Sequence, residues 1–504
     1  MKDDAWNRLG SYLKETQILG SIQNTLYWDQ NTLMPKQGSS WRTEQLTYLA
    51  KNLHIRNSSK EFAELIKLAS IELNDCEDKN ENEKISRELN IKLLNQELDR
   101  QRKLDPKLVE QLARAKSKGY ESWQQAKNDS DYKIFLPFFK ELIDLRIEES
   151  KQLSDKYSPW ETLAQPYEPD ITKEFLDKIF KPIRKSIPSL LESVKRSKRK
   201  EWDIDHNSQK ILCSKLLDNF GRKKELVAVA ESPHPFSITL GPGDYRITTR
   251  IVKGEPFSSL LATAHEWGHS IYEQGLPAQT HQLFSWPLGQ ATSMAVHESQ
   301  SLFWENRIVK SKSFAKSFFG NFVDKGCPLE NYLEFWKSIN IFQTGLNRVE
   351  ADELSYGLHI LIRTELEIEL IEGNLDPKDL PNEWNKKYQE LLGIKPSNDS
   401  EGCLQDVHWS EGAFGYFPSY LIGHLISAQI SYSLEKDIGL IDYLIDKNQY
   451  IKIIQWLRDN VHCYGRSLNA MELVKKVSGN DLSPNYFINY LKCKIDSLNK
   501  NYLE

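Results

Sequence analysis

The stretch that decides the fold is His265-Glu266-Trp267-Gly268-His269, a His-Glu-x-x-His motif near the middle of the 504-residue chain. Four helical residues at about 100° each bring the second imidazole back to within about 40° of the first. Two neutral imidazoles on one helix face are suitable ligands for Zn²⁺. Glu266 follows the first histidine directly and can reach a water on the metal without being a ligand. The motif therefore predicts a zinc site with Glu266 as its general base, if the segment is helical.

The surrounding residues predict that helix. Ser258 is a typical helix-start residue, and Leu260 and Ala264 supply an apolar side. Gly275 is expected just past the last turn, where Pro277 prevents the helix from continuing. The motif then lies in the middle of a helix, where its geometry is fixed.

A third ligand is needed, and the residues alone leave it open. A metzincin would need Gly at position 272 and His at 275, but the chain has Tyr272 and Gly275. Glu273 lies on the face of the motif, but about 12 Å along the axis from its first histidine. A second helical segment carries His297 and Glu298. Helix neighbours point about 100° apart, so only one of them is expected to bind, and spacing does not choose.

Away from the motif the pattern is helical with one exception. Apolar residues recur at three- and four-residue spacing through the first two hundred residues. Pro235-Phe-Ser-Ile-Thr-Leu240 and Tyr245-Arg-Ile-Thr-Thr-Arg-Ile251 are instead short and rich in β-branched residues, and Gly241-Pro-Gly-Asp244 joins them. This predicts a small β-hairpin. The chain has only 24 Gly and 20 Pro, which is low for an all-β protein.

Composition excludes several classes of protein. The net charge is −5, so no global basic field draws the chain to nucleic acid or an anionic membrane. No stretch reaches the roughly 18 unbroken apolar residues of a membrane helix. The six cysteines are far apart and form no Cys-x-x-Cys pair, which indicates neither a thiolate zinc site nor a disulfide framework. We expect a cytoplasmic protein without nucleic-acid or membrane partners.

Several further motifs occur in the order known from one family. They are His234-Pro-Phe236, Asp244-Tyr-Arg-Ile-Thr248, His297-Glu-Ser-Gln300, Asn347-Arg-Val-Glu-Ala-Asp352 and Gly402-Cys-Leu-Gln-Asp-Val-His-Trp409. Two positions depart from the family pattern: Asn347 stands in place of Ile, and Leu302 stands where an arginine often follows His-Glu-Ser-Gln-Ser. Together with the central motif, they make the chain resemble the Taq-type metallocarboxypeptidases along nearly its whole length.

The resemblance implies a mainly α, large two-lobed helical metallopeptidase fold around a deep cleft. A small β-hairpin or sheet is expected next to the active-site helix. The resemblance also implies one catalytic unit over residues 1–504, with a helical lobe over 1–200 and the metal-binding and catalytic region over 201–504.

The resemblance also implies the roles of the residues at the metal. In this family the glutamate of His-Glu-Ser-Gln completes the metal site, which favours Glu298 beside His265 and His269. Zn²⁺ is the expected cofactor, and Co²⁺ is an expected substitute.

Similar His-and-Tyr segments stabilise the oxyanion of the tetrahedral intermediate in related helical zinc peptidases. By that resemblance Tyr420 and His408 are expected to be catalytic donors, and Tyr416 is the alternative donor at the substrate.

Recognition of a free C-terminus is expected from an arginine, whose guanidinium matches a carboxylate. Arg348 and Arg246 are the candidates because both lie within family motifs. The strand that begins at Asp244 can offer its backbone edge to an extended substrate. His234 is either a substrate-facing or a hairpin-packing residue.

The expected function is that of a zinc carboxypeptidase that removes single residues from peptides with a free C-terminus. The alternative is a zinc oligopeptidase that cuts internal bonds, since the two share their metal motif. A third hypothesis is a non-catalytic binding protein on the same scaffold. The family resemblance also implies a homodimer.

Overall fold

The computed structural model describes residues 4–74, 81–195, 200–277 and 283–500. The described part is mainly helical and contains one small sheet, as predicted. The helices are α1 Ala5–Thr32, α2 Ser39–Ser58, α3 Lys60–Asn74, α4 Glu81–Lys103, α5 Pro106–Asp129, α6 Tyr132–Leu153, α7 Pro159–Ala164, α8 Lys173–Ser193, α9 His206–Asn219, α10 Ser258–Gly275, α11 Met294–Leu302, α12 Lys312–Val323, α13 Tyr332–Ile339, α14 Tyr356–Ile371, α15 Leu380–Leu392, α16 Pro418–Ile438, α17 Ile441–Asp446, α18 Tyr450–Asn460, α19 Ala470–Ser478 and α20 Asn485–Lys500. The strands are β1 Val227–Glu231, β2 Ser237–Gly241 and β3 Asp244–Thr249.

The three strands form one sheet in the order β1-β3-β2. β2 and β3 pair antiparallel, with Ser237 opposite Ile247, so the predicted hairpin is present. Gly243 in its turn has φ of +88°, a conformation that glycine adopts without strain. β1 pairs parallel to β3, with Val227 opposite Tyr245. The sequence prediction lacks this strand, because its four apolar residues, 227–230, do not distinguish a strand from a buried helical turn.

The sheet is fixed against α10 by buried hydroxyl groups. Thr249, at the end of β3, donates to the backbone carbonyl of Ser259 at 3.0 Å. Thr263, one turn further along α10, lies 3.0 Å from Thr249, oxygen to oxygen. These contacts place the sheet beside the helix that carries the central motif, as expected from the resemblance.

Within the described ranges, apolar side chains form two separate buried clusters. The smaller one joins residues of α1, α3 and α4, among them Leu9, Phe62 and Leu94, to Trp286. Trp286 also stacks on Trp6 with ring centres 4.1 Å apart. The larger cluster runs from α5 to α20. Helices α5 to α8 therefore pack in the main core, although they lie before residue 200.

Helices α11 and α16 pack closely against each other. A Cβ at Gly423 of α16 would lie 3.0 Å from the Cβ of Glu298 on α11. A glycine at this contact therefore lets α16 approach the segment that carries the predicted third ligand.

Candidate metal centre and active site

Helix α10 has the predicted position and carries the whole motif. It ends at Gly275, with Leu276 as an extended cap residue. The expectation that Gly275 lies just beyond the helix is wrong by one residue. Glycine is needed there for packing, because a Cβ would lie 2.1 Å from Nδ1 of the buried His462.

Three possible ligand atoms from two helices converge at this motif. Oε2 of Glu298, on α11, lies 3.7 Å from Nε2 of His265 and 3.5 Å from Nε2 of His269. One ligand atom from each of the three residues lies within 4.8 Å of the others. Ligands bound at about 2.0–2.2 Å to one tetrahedral ion are about 3.3–3.6 Å apart, so the cluster fits a single small ion.

The electrostatics of the cluster also favour a cation. Burial lowers the pKa of His265, but the carboxylates of Glu298 and Glu305 outweigh it and raise this pKa to about 10. Burial, His297 and His265 together hold the pKa of His269 well below its usual value. Carboxylates therefore attract positive charge to the site, and two nitrogens and one oxygen form a donor set typical of zinc-class ions.

Both motif histidines make a second polar contact through Nδ1. The Nδ1 atom of His265 lies 2.9 Å from Glu305 Oε2. The Nδ1 atom of His269 lies 2.6 Å from Nδ1 of His297, whose Nε2 lies 2.9 Å from Glu273 Oε1. Glu273 and His297, the alternatives for the third ligand, thus lie behind His269. Contacts at Nδ1 fix the ring orientation and leave each Nε2 facing the cluster.

Glu266 lines the cleft next to the cluster and is only 6% exposed. Burial raises its pKa to about 7; Glu298 adds to this rise, and His265 opposes it. A carboxyl group with a pKa near neutrality can both accept and return a proton.

A cleft of about 630 Å³ opens over the cluster. Tyr416, Tyr420 and Arg348 line it together with the motif residues. The two tyrosine rings are nearly perpendicular with centres 5.2 Å apart. Burial raises the pKa of both hydroxyl groups, so they stay protonated and can donate hydrogen bonds.

His408 lies next to this pair but is not one of the residues that line the cleft. Its ring centre is 5.3 Å from that of Tyr416. Burial lowers its pKa to about 4, so the ring is neutral, and its Nδ1 has no hydrogen-bond partner among the described residues. Its expected donor role stays a prediction.

Asp406 lies between two buried arginines at the cleft. Arg348 Nε donates to Asp406 Oδ1 at 2.8 Å, and Arg363 Nε donates to Oδ2 at 2.5 Å. Burial raises the pKa of Asp406, but the two guanidinium groups outweigh burial and hold it well below its usual value. Two positive charges therefore face one negative charge, so these three side chains together carry a net positive charge.

The other predicted substrate residues lie at the sheet. Arg246 donates two hydrogen bonds of 2.8 Å to Asp244, and its guanidinium lies 5.6 Å from the ring centre of Trp28 on α1. The carbonyl of His234 accepts a bond of 2.6 Å from the Ser232 hydroxyl. None of these residues is among those that line the cleft, and their substrate-binding roles stay predictions.

Sequence reasoning missed Glu305 and Lys310, which line the cleft beside the cluster. Glu305 follows Glu298 by seven residues, so helical spacing could have placed both on one face. The position of Lys310 could not be predicted from helical spacing, because a π-helical turn over Phe303–Val309 interrupts the regular spacing before it.

Comparison with known proteins identifies the family of the chain. The profile described as carboxypeptidase Taq (M32) metallopeptidase matches residues 8–495. The chain belongs to the carboxypeptidase Taq (M32) metallopeptidase family.

Similarity to individual relatives extends over nearly the whole chain. Thermostable carboxypeptidase 1 of Thermus thermophilus is 32% identical and the match covers 98% of this chain and 99% of that protein. Carboxypeptidase 1 of Bacillus subtilis is 32% identical over 94% of each chain. The crystal structure of the M32 carboxypeptidase from Deinococcus radiodurans has a TM-score of 0.92 at 27% identity, covering 98% of this chain and 99% of that one.

The chain is therefore a metallocarboxypeptidase, a hydrolase that releases C-terminal residues from peptides. The predicted family, fold class and type of enzyme are confirmed. Within the described ranges, no helix combines the length and the apolar character needed to cross a membrane.

Proposed function

We propose that this metallocarboxypeptidase releases single residues with a zinc ion held by His265, His269 and Glu298. The convergence of these three side chains, with ligand atoms within 4.8 Å of one another, carries the proposal. Such a set leaves a fourth position for water or substrate. A bound ion would polarise the scissile carbonyl and lower the pKa of water toward about 7. Co²⁺ accepts the same nitrogen and oxygen donors and is the proposed substitute.

Glu266 is the proposed proton carrier. It follows His265 on the same helix and faces the cleft, so its carboxylate is within reach of water between the cluster and the substrate. It accepts the proton of the attacking water and then donates it to the nitrogen of the leaving amine. A carboxyl pKa near neutrality suits both steps.

Tyr420 is the proposed donor to the oxyanion of the tetrahedral intermediate. Its side chain lines the same cleft as the cluster, and burial keeps its hydroxyl protonated. His408 is the proposed donor beside it, with its ring centre 6.4 Å from that of Tyr420, and Tyr416 is the alternative donor. Preorganised donors stabilise negative charge most in a site that excludes water.

Arg348 is the proposed partner of the substrate carboxylate. It lines the cleft, whereas Arg246 is engaged with Asp244 at the sheet. The shared carboxylate of Asp406 neutralises only one of the two charges of Arg348 and Arg363. The remaining positive charge favours a substrate with a free C-terminus.

A matched pair of peptides tests the single-residue release. A short peptide with a free C-terminus and its C-terminally amidated form are incubated with the enzyme, and mass spectrometry identifies the products. We expect loss of one residue at a time from the free peptide and at least 100-fold slower cleavage of the amide. Equal cleavage of both, or cleavage at internal bonds, would instead support the oligopeptidase alternative.

Metal analysis of the same preparation tests the ion. We expect about one zinc per chain, loss of activity on chelation, and recovery with Zn²⁺ or Co²⁺. A protein that holds no metal and gains no activity with either ion would be a non-catalytic binding protein on this scaffold.

The oligomeric state and the compartment are further proposals. The family resemblance supports a homodimer, which light scattering after size-exclusion chromatography tests. The five described cysteines are free, which suits the reducing cytoplasm, and fractionation of cells tests that location. We also propose that residues 1–504 act as one catalytic unit.

A further inference from the structure

We propose that Lys310 is a positioning residue of the metal centre, acting on His265 through the carboxylate of Glu305. The inference rests on the ligand set proposed above. It assigns a role to a buried charge that the steps of peptide hydrolysis do not use.

The carboxylate of Glu305 is held at both oxygens. Oε2 lies 2.9 Å from Nδ1 of His265, and Oε1 accepts a hydrogen bond of 2.8 Å from the ammonium group of Lys310. Lys310 donates a further bond of 2.8 Å to Oδ1 of Asn306. With one oxygen fixed by Lys310, the carboxylate can turn neither away from the imidazole nor toward the cluster.

A local backbone feature brings Glu305 and Lys310 together. Residues five apart on a regular α-helix point about 140° away from each other. Here the N–H of Lys310 donates to the carbonyl of Glu305 at 3.0 Å, the five-residue bond of a π-helical turn. The turn therefore places both side chains on the cleft side, next to the ligand helix.

The charges around His265 explain why a lysine is needed. The carboxyl groups of Glu266, Glu298 and Glu305 all lie near this imidazole and are buried or nearly so. The Lys310 side chain is 13% exposed and forms the ion pair with Glu305. Without Lys310, the Glu305 carboxylate would lose the contact at Oε1 that fixes its orientation, and it would be free to rotate away from His265.

A second buried ion pair supports this one from the C-terminal helix. Lys494 of α20 pairs with Glu353 at 2.6 Å, and the two side chains are 6% and 3% exposed. Lys494 also donates to the Tyr490 hydroxyl at 3.1 Å, which in turn donates to the backbone carbonyl of Asn306 at 3.1 Å. Through this contact of Tyr490 with Asn306, helix α20 stabilises the π-helical turn.

Metal affinity tests the inference without reference to turnover. The full-length metal-free protein is titrated with Zn²⁺ against a chromophoric chelator, for wild type, Lys310→Met, Glu305→Gln and the double variant. Partners behind a metal ligand typically contribute about 10- to 100-fold in affinity, so we expect each single variant to bind zinc that much more weakly. Since Lys310 acts through Glu305, the double variant should bind no more weakly than the weaker single variant.

Arg146→Met is the matched control, because Arg146 is a buried cation that forms an ion pair with Glu149 within α6, away from the cleft. It should lower the unfolding temperature and leave the zinc dissociation constant unchanged. If Lys310→Met does not fold, Lys310→Gln replaces it in the same set of single and double variants. Glutamine keeps a hydrogen-bond donor but has no charge.

Two outcomes would overturn the inference: an affinity of the Lys310 variant within twofold of wild type, or simple additivity of the two substitutions. His265→Ala separates this failure from failure of the ligand proposal. If His265→Ala also binds zinc like wild type, the ligand set itself is wrong. If it loses zinc while the Lys310 variant does not, only the positioning role fails.

Discussion

Gly268, inside the central motif, lies directly against the backbone of Gln300 on α11. A Cβ at Gly268 would be 2.4 Å from the carbonyl oxygen of Gln300 and 2.5 Å from the Cα of Ser301. The two helices can therefore approach only because this position has no side chain. That approach brings Glu298, two residues before Gln300, to the imidazoles of His265 and His269.

Gly268→Ala is expected to separate the two helices and so disrupt the metal centre. The methyl group meets backbone atoms, which cannot rotate away, so we expect a loss at or above the upper end of the usual 1–3 kcal/mol for overpacking. Zinc affinity should fall as well, because the third ligand moves away. Thermal unfolding of the metal-free protein and a chelator titration measure the two effects.

Gly320→Ala is the control for that substitution. Gly320 is an exposed residue of α12, and a Cβ there would have no heavy atom within 4 Å. Alanine should leave stability unchanged or raise it by up to about 1 kcal/mol through helix propensity. A similar loss at Gly268 and Gly320 would show that helix packing is not the reason for the glycine in the motif.

Glu266→Gln should separate metal binding from catalysis. The amide has nearly the shape of the carboxylate but cannot accept the proton of water, so we expect kcat to fall by at least about 10²–10⁴-fold. Zinc content should stay at the wild-type level, because the side chain is not a proposed ligand. Glu110→Gln, at an exposed site on α5, should change neither quantity. Substantial residual turnover would remove Glu266 from its proposed role.

Tyr420→Phe should lower kcat by about 10²–10³-fold, the usual effect of removing one oxyanion donor. KM should change little, since the hydroxyl acts mainly on the transition state. Tyr416→Phe should have a smaller effect on kcat. Tyr432 is an exposed tyrosine on the same helix as Tyr420, and Tyr432→Phe should leave kcat unchanged. A larger effect at Tyr416 than at Tyr420 would exchange the two roles.

The sequence could predict those parts of the site that depend on local spacing. His265 and His269 lie one helical turn apart, and the helix that holds them is indicated by its own apolar spacing and start residue. The hairpin was predictable for the same reason, since Gly241-Pro-Gly-Asp244 is a turn signal between two β-branched runs.

Contacts between distant segments could not be predicted from spacing. Arg348 and Arg363 share Asp406, which lies 58 and 43 positions further along the chain. Nothing in a local pattern specifies such a partner, so the excess positive charge of these three side chains emerged only from the fold. The same holds for Lys310, because its contact with Glu305 depends on a π-helical turn.

His462 gives the protein a buried group that cannot easily take up a proton. Its Nε2 lies 3.0 Å from Oε1 of Gln300 and therefore carries the hydrogen, while Nδ1 is buried without a partner among the described residues. Protonation would place a charge on that atom, beneath α10. Burial, assisted by Arg458, lowers the pKa of His462 from 6.5 to about 3.

Stability should consequently fall as the pH drops from about 6.5 toward 3. In that range the unfolded chain binds a proton at His462 and the folded protein does not, so acid favours unfolding by up to about 1.4 kcal/mol per pH unit. His462→Gln, which keeps a donor for Gln300 but does not titrate, should have a shallower dependence of unfolding free energy on pH between 6.5 and 5. His54→Gln on α2, where the side chain is exposed, should follow wild type. Parallel pH curves for wild type and His462→Gln, measured by urea unfolding of the metal-free proteins, would contradict the assignment.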